Sequence, residues 1–467
     1  MTSLSARGGP VATLCLVQFV DVLGVTSATT AIPAMLTGVG APPAATGALA
    51  AVYAMFFGGL LILGARLGDK YGHRRVLLLG LGLFVTVALV GGTAQEAIQL
   101  FAARALQGAA AAVSVPCALR LLLEATAAQP ATRRKALAAW SASGAAAGAL
   151  GYLVGGALTE TLTWRSVFWV NAPVGLLLVV GVLVLVPFLP PENRHEHLDL
   201  AGAALLIAAV MALIVGGSQV ESPGSRGTGA VLLATGLGIG AAFARQQRRA
   251  ASPLIPRSAF SSPHLRAGTV ASFVNTATTS SAGVLATLVL QQELGASPVR
   301  AGLILMPFSL AVIAGAGLSQ PVSRVLSIRR AAATGLAGIA AGNLVLALTY
   351  GSVAGVILGV TVAGLGLGVS SVAATALGTD VDASLTGSAS GVLNTGAQLG
   401  TALGVAALVS VAAVAGRQGP ATAWAAAAAL AALTAVTLAM LPDQALPDQA
   451  LPGSALPDPA VRERRSG

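Results

Sequence analysis

Runs of apolar residues long enough to cross a bilayer recur along the chain, separated by short clusters of charge. Crossing the hydrocarbon core takes about 20 predominantly apolar residues in a helix. With the charges taken as stops, the pattern predicts 14 spans, at residues 10–36, 46–67, 74–93, 97–124, 135–158, 166–190, 198–218, 228–245, 266–290, 300–321, 330–350, 352–376, 387–415 and 420–441. The fold class is all-α integral membrane. An even number of spans returns both termini to the same side.

A weak internal repeat organises these spans. A shift of about 255 residues lays Pro321–Arg330 over the loop Gly64–Arg75, keeping a terminal arginine pair and losing the acid. The same shift lays span 13 over span 5, where Gly396, Gly400 and Gly404 echo Gly144 and Gly148 at four-residue spacing. Two six-span halves are expected, in residues 1–190 and 251–441, with spans 7 and 8 inserted between them in residues 191–250. Residues 442–467 repeat Leu-Pro-Asp-Gln-Ala and end in charge, which reads as a disordered cytoplasmic tail.

Composition sharpens this picture. The 467 residues are 55% hydrophobic and 9% charged, with a mean hydropathy of +0.83. Soluble domains carry about 25% charged residues, so that class is excluded. The net charge of +10 is a possible footprint of nucleic-acid binding, but the positions of the cations exclude it. Arg133, Arg134 and Lys135, Arg245, Arg248 and Arg249, and Arg329 and Arg330 all fall in loops on one side. The opposite loops hold only Arg165, Arg226, Arg300 and Arg417. This bias puts the basic loops and both termini in the cytoplasm of a cell-membrane protein that touches anionic lipid. The inner loop 377–386 departs from it, with Asp380 and Asp382. Cys15 and Cys117 lie inside spans and read as small buried hydrophobes. No phosphate loop of the G-x-x-x-x-G-K-[ST] form is present, which argues against ATP-driven transport. His73, His195, His197 and His264 fall in loops, and His195-Glu196-His197 reads as a solvated loop rather than a metal site. No nucleophile–base pair lies at membrane depth, so neither an enzyme nor a cofactor or metal is expected.

Candidate chemistry concentrates in a few places. Gly64, Gly68 and Gly72 recur every four residues in a short loop with Arg66, Asp69, Lys70, Arg74 and Arg75. This stretch closely resembles the loop between spans 2 and 3 of the major facilitator superfamily of transporters. The resemblance implies that Gly64, Gly68, Asp69, Gly72, Arg74 and Arg75 latch the two halves in one conformation. Asp21 lies about eleven residues into span 1. A carboxylate near the midplane is costly, about 3 kcal/mol on insertion scales, and is a functional candidate for that reason. Arg104 is the one cation inside a span and the expected partner of Asp21. The run Arg104-Ala105-Leu106-Gln107-Gly108 resembles the superfamily's fourth-span motif, whose arginine is implicated in proton transfer. Gln107 either fixes the guanidinium or meets substrate.

Gly144, Gly148, Gly151 and Gly155 share one face of span 5, followed by Gly156. These residues with Tyr152 resemble the antiporter motif of drug/proton exporters, except that Tyr152 stands where the motif usually has proline, removing the expected kink. Trp164-Arg165-Ser166-Val167-Phe168-Trp169-Val170-Asn171-Ala172-Pro173-Val174-Gly175 is similar to a signature of the 14-span drug/proton antiporter family. That family usually carries an acid where Gly24 stands; Asp21 lies one turn earlier. Asn275, Asn394 and Gln398 are polar groups at membrane depth that either contact substrate or hydrogen-bond between helices. The resemblance implies proton-coupled efflux of amphipathic small molecules by a monomer. The alternatives are an uptake symporter of the same fold and a non-transporting receptor or scaffold.

Overall fold

The computed structural model describes residues 5–127, 129–188, 190, 198–220, 223–250, 253–254, 262–381 and 386–440. His195, His197, Asp382 and the tail 442–467 lie outside the described residues. Among the described residues fourteen helices are long and apolar enough to cross a membrane, and there is no strand. They are α1 (Ser5–Gly38), α2 (Thr46–Tyr71), α3 (His73–Gly91), α4 (Ala97–Ala125), α5 (Pro130–Thr161), α6 (Asn171–Leu185) and α7 (Leu200–Val220). The chain continues through α8 (Arg226–Arg249), α9 (Pro263–Leu288), α10 (Pro298–Val325), α11 (Ile328–Leu348), α12 (Val353–Gly378), α13 (Thr386–Val414) and α14 (Gly419–Met440). A helical turn, Ser166–Trp169, precedes α6, and a π-helical turn, Val289–Glu293, extends α9.

Several helices outrun the apolar spans that mark them. α5 begins at Pro130 and carries Arg133 and Lys135 inside it, and α8 runs through Arg245 to Arg249. Charge marks where hydrocarbon ends, whereas a helix continues into the interface, where long cationic side chains reach water. Helix starts in the second half are capped alike. Ser262, Ser297, Ser327 and Ser352 accept from backbone N–H groups in the first turns of α9, α10, α11 and α12. Gly72 has φ +94° and joins α2 to α3 in a conformation that a side chain disfavours. The end of the bundle holding this turn and the start of α1 is the basic face; the other end is the far face.

Packing repeats with a shift of eight helices. α1 lies on α5 as α9 lies on α13, α2 on α4 as α10 on α12, and α3 on α4 as α11 on α12. Two six-helix halves result, and they meet along α2 with α13 and along α5 with α10, pairs that the same shift exchanges. α7 and α8 pack mainly on each other, with α7 also reaching α2 and α13. Asp199 holds this inserted pair together: its carboxylate accepts from the Gly202 N–H at 2.8 Å and from the Gln247 amide of α8 at 2.7 Å.

Candidate functional site

The first half encloses a small polar cluster. Asp21, midway along α1, is 8% exposed, and it accepts a short hydrogen bond from the Tyr53 hydroxyl of α2. Tyr53 is 3% exposed, and the Arg104 guanidinium of α4 lies 4.7 Å from its ring centroid. Arg104 donates to Gln107 Oε1 at 3.1 Å, and both residues are buried. At 1.5 Å per residue, Tyr53 and Arg104 each lie about 10 Å below the far-face starts of α2 and α4, so their levels match. Asp21 and Arg104 do not form the direct ion pair expected from their charges. Tyr53 stands between them, with its hydroxyl on the acid and its ring face on the cation. Each charge thus keeps a polar or π partner without joining in one contact. Asp21 also borders a cavity of about 20 Å³ that Ser114 of α4 helps to line. That volume suits one water molecule.

Tyr53 was not legible as a site residue, because one tyrosine in an apolar span is ordinary. The available signal is its level: a hydroxyl at the depth of Arg104, stacked edge-on against Phe57 one turn below. Gln107 accepts from the guanidinium of Arg104 within its own helix. The other polar candidates lie across the molecule. Asn275 of α9 is 1% exposed, and neither of its amide atoms has a hydrogen-bond partner among the described residues. Asn394 of α13 is exposed, and Gln398 is half-buried with its Cβ against Gly58 of α2.

The expected latch residues are anchored mostly within the first half. Gly64 lies against the Ala112 carbonyl of α4, and Gly68 against the His73 ring and Cys117. Asp69 is 3.2 Å from His73 Nε2. Arg74 donates to the Leu183 carbonyl of α6 at 2.7 Å, and Arg75 sits 5.0 Å from the Phe188 ring centroid. Arg66 reaches towards the second half, donating to the Pro253 carbonyl at 2.5 Å.

α5 is an unbroken helix through Tyr152, as the loss of proline at that position implies. Its glycines face two neighbours. Gly144, Gly151 and Gly155 lie on α1, where a Cβ at Gly155 would overlap the Ser27 backbone. Gly148 and Gly156 face Ser309 and Pro298 of α10. Towards the far face the halves are closed by Glu160 Oε2, which accepts the Val299 N–H at 3.0 Å, and by Gln291, which donates to the Thr30 carbonyl at 2.9 Å. Towards the basic face α2 and α13 stay in contact, the Cβ position of Gly391 lying 3.6 Å from Ile62, whereas α5 and α10 expose side chains. Leu137, Ala138, Ala139, Ser141 and Ala142 of α5 are exposed around most of the helix, as are Gly317, Leu318 and Gln320 of α10. α5 and α10 are thus tied together towards the far face and exposed towards the basic one.

The sequence model of the Major Facilitator Superfamily matches residues 14–405 and 268–462. The chain is 36% identical over 410 residues to the cephamycin export protein CmcT of Amycolatopsis lactamdurans, covering 85% of this chain and 83% of that one. It is 33% identical over 410 residues to the probable actinorhodin transporter of Streptomyces coelicolor, covering 84% and 70%. It is 31% identical over 367 residues to the multidrug efflux pump LfrA of Mycolicibacterium smegmatis, covering 77% and 72%. Among solved structures, the POT family transporter PepTSo matches with a TM-score of 0.67 at 13% identity, over 92% of this chain and 97% of that one. The nucleoside transporter NupG matches at 0.65 and 12%, over 92% and 99%; at such identities the likeness concerns the fold alone. With these matches and its fourteen-helix, two-half architecture, this multi-pass membrane protein belongs to the Major Facilitator Superfamily.

Proposed function

We propose that the protein is a proton-coupled efflux transporter that exports amphipathic small molecules across the cytoplasmic membrane, with its basic face and both termini in the cytoplasm. Residues 1–190 and 251–441 act as the two rocking halves, and residues 191–250 as an inserted helix pair. The names of three relatives, an antibiotic export protein, an antibiotic transporter and a multidrug pump, support efflux and an antibiotic-like substrate. The observation that carries coupling is Asp21, a buried mid-helix carboxylate held by Tyr53 and overlooked by Arg104.

In this mechanism Asp21 takes a proton when the far face is open and releases it when the basic face is open. Arg104 favours release, because a cation nearby stabilises the ionised acid. The Tyr53 hydroxyl supports the carboxylate and withdraws support when it rotates. Substrate enters from the basic face, where Asn394 is exposed and Gln398 lines the α2–α13 seam. Asn275 offers two unsatisfied amide atoms one helix away from that seam. Rocking of the halves then carries substrate across.

The test is a pH-sensitive dye inside everted vesicles energised acid inside, with cationic dyes and antibiotics added one at a time. Wild type is expected to release protons on addition of a substrate, and Asp21→Asn to lose that release while still inserting. Full release by the variant removes Asp21 from coupling.

A further inference from the structure

Tyr152 is the motif position that neither the coupling cluster nor the substrate candidates use. It belongs to α5 of the first half, yet its side chain lies in the hydrophobic core of the second half. It is 7% exposed and clusters there with Ala282 and Leu285 of α9 and Ala301, Ile304 and Leu305 of α10. One glycine makes room for its hydroxyl and another for its backbone. A Cβ at Gly283 of α9 would stand 3.2 Å from the Tyr152 hydroxyl, and one at Gly302 of α10 would overlap the Tyr152 carbonyl. That carbonyl also accepts a hydrogen bond from Thr30 of α1 at 3.3 Å, so α1, α5 and α10 converge on this residue. The other far-face ties are polar ones, Glu160 to Ser297 and Val299 and Gln291 to Thr30. A docked aromatic side chain buries far more apolar surface than either leaves to be gained.

We propose that Tyr152 is a positioning residue for transport: its ring crosses the seam into a slot at Gly283 of the opposite half, while Gly302 receives its backbone, and this plug holds the far face closed. Opening of that face requires the ring to leave the slot, since the ring travels with α5 while the slot travels with α9 and α10. The unkinked helix fits this role, because a proline at position 152 presents no ring long enough to cross the seam. The plug is independent of proton coupling and stands whether or not Asp21 carries the proton.

The test uses detergent-purified full-length protein in a Cys15→Ala/Cys117→Ala background and a water-soluble maleimide, so it needs neither substrate nor gradient. One reporter, Ala282→Cys, lies in the slot and is 3% exposed; a control reporter, Ala118→Cys, lies in the first-half core and is fully buried. Adding Tyr152→Ala is expected to speed labelling at position 282 by about tenfold or more, as a shift towards the far-open state requires. Tyr152→Phe is expected to label as slowly as the parent. Gly302→Val, with the tyrosine intact, is expected to speed labelling as well, because its side chain displaces the Tyr152 carbonyl. Equal rates for Tyr152→Ala and Tyr152→Phe overturn the proposal. So does faster labelling at position 118, which marks general loosening instead of opening.

Discussion

At the scale of single residues, the polar cluster separates two opposite charges that stand at similar depth. A direct Asp21–Arg104 pair would be hard to break, since removing either partner leaves a buried charge uncompensated. With Tyr53 interposed, the acid can change its protonation state while the cation keeps the ring face and Gln107. Tyr53→Phe preserves the ring under Arg104 and removes only the donor to Asp21. A hydrogen bond to a charged group contributes about 1.5–3 kcal/mol. Proton-linked export in vesicles is therefore expected to fall by about tenfold or more, at unchanged expression. An export rate equal to wild type would show that the hydroxyl takes no part. Asp21 and Arg104 were legible as charges inside apolar runs, since hydrocarbon tolerates charge only for a reason. Tyr53 was not, because its importance depends on which way α2 is rotated.

At the scale of elements, α1 and α5 approach closely because glycine removes the side chains between them. Thr26 and Thr30 of α1 donate to the Ala147 and Tyr152 carbonyls of α5 across that contact. Gly155→Leu forces a side chain into the Ser27 backbone, and overpacking of this kind typically costs about 1–3 kcal/mol. The thermal unfolding midpoint is expected to drop by at least a few degrees. Gly82→Leu on α3 is the control, since nothing lies within 4 Å of its Cβ position, and its midpoint is expected to stay put. Similar midpoints for the two variants would show that the α1–α5 contact yields easily. The four-residue spacing in span 5 made a close-packed face legible in advance. It did not say that the stripe divides between α1 and α10, because two helices can share a face only once the bundle is assembled.

At the scale of the whole molecule, the halves meet on the pseudo-symmetric seams α2–α13 and α5–α10, and the proposed rocking takes place there. The contacts between α5 and α10 lie towards the far face, where Glu160 meets Val299. Cysteines placed at these two positions and joined by a short, reductant-cleavable bismaleimide are expected to stop substrate export. Cleaving the linker is expected to restore it. Continued export by the linked protein would mean that the far face need not open, and would remove alternating access between the halves from the mechanism. The membrane spans and the repeat were readable beforehand. The anchoring of the loop Gly64–Arg75 was not: Asp69 pairs with His73 of its own turn, and Arg66 makes the contact with the Pro253 carbonyl.

The chain alone determined the properties that depend on local chemistry and on one external length, the thickness of hydrocarbon. Span number, the uneven distribution of cations, the cost of a charge at depth and the close approach permitted by glycine all follow from residues within a few turns of each other. Tertiary structure decided what depends on helix rotation and on partners distant in sequence. Tyr53 joins Asp21 across 32 residues, and Gln291 reaches Thr30 across 261. Tyr152 packs into the hydrophobic core of the opposite half. Where the halves touch is also a tertiary property, because the same apolar spans are buried in the same membrane whichever contacts join the halves.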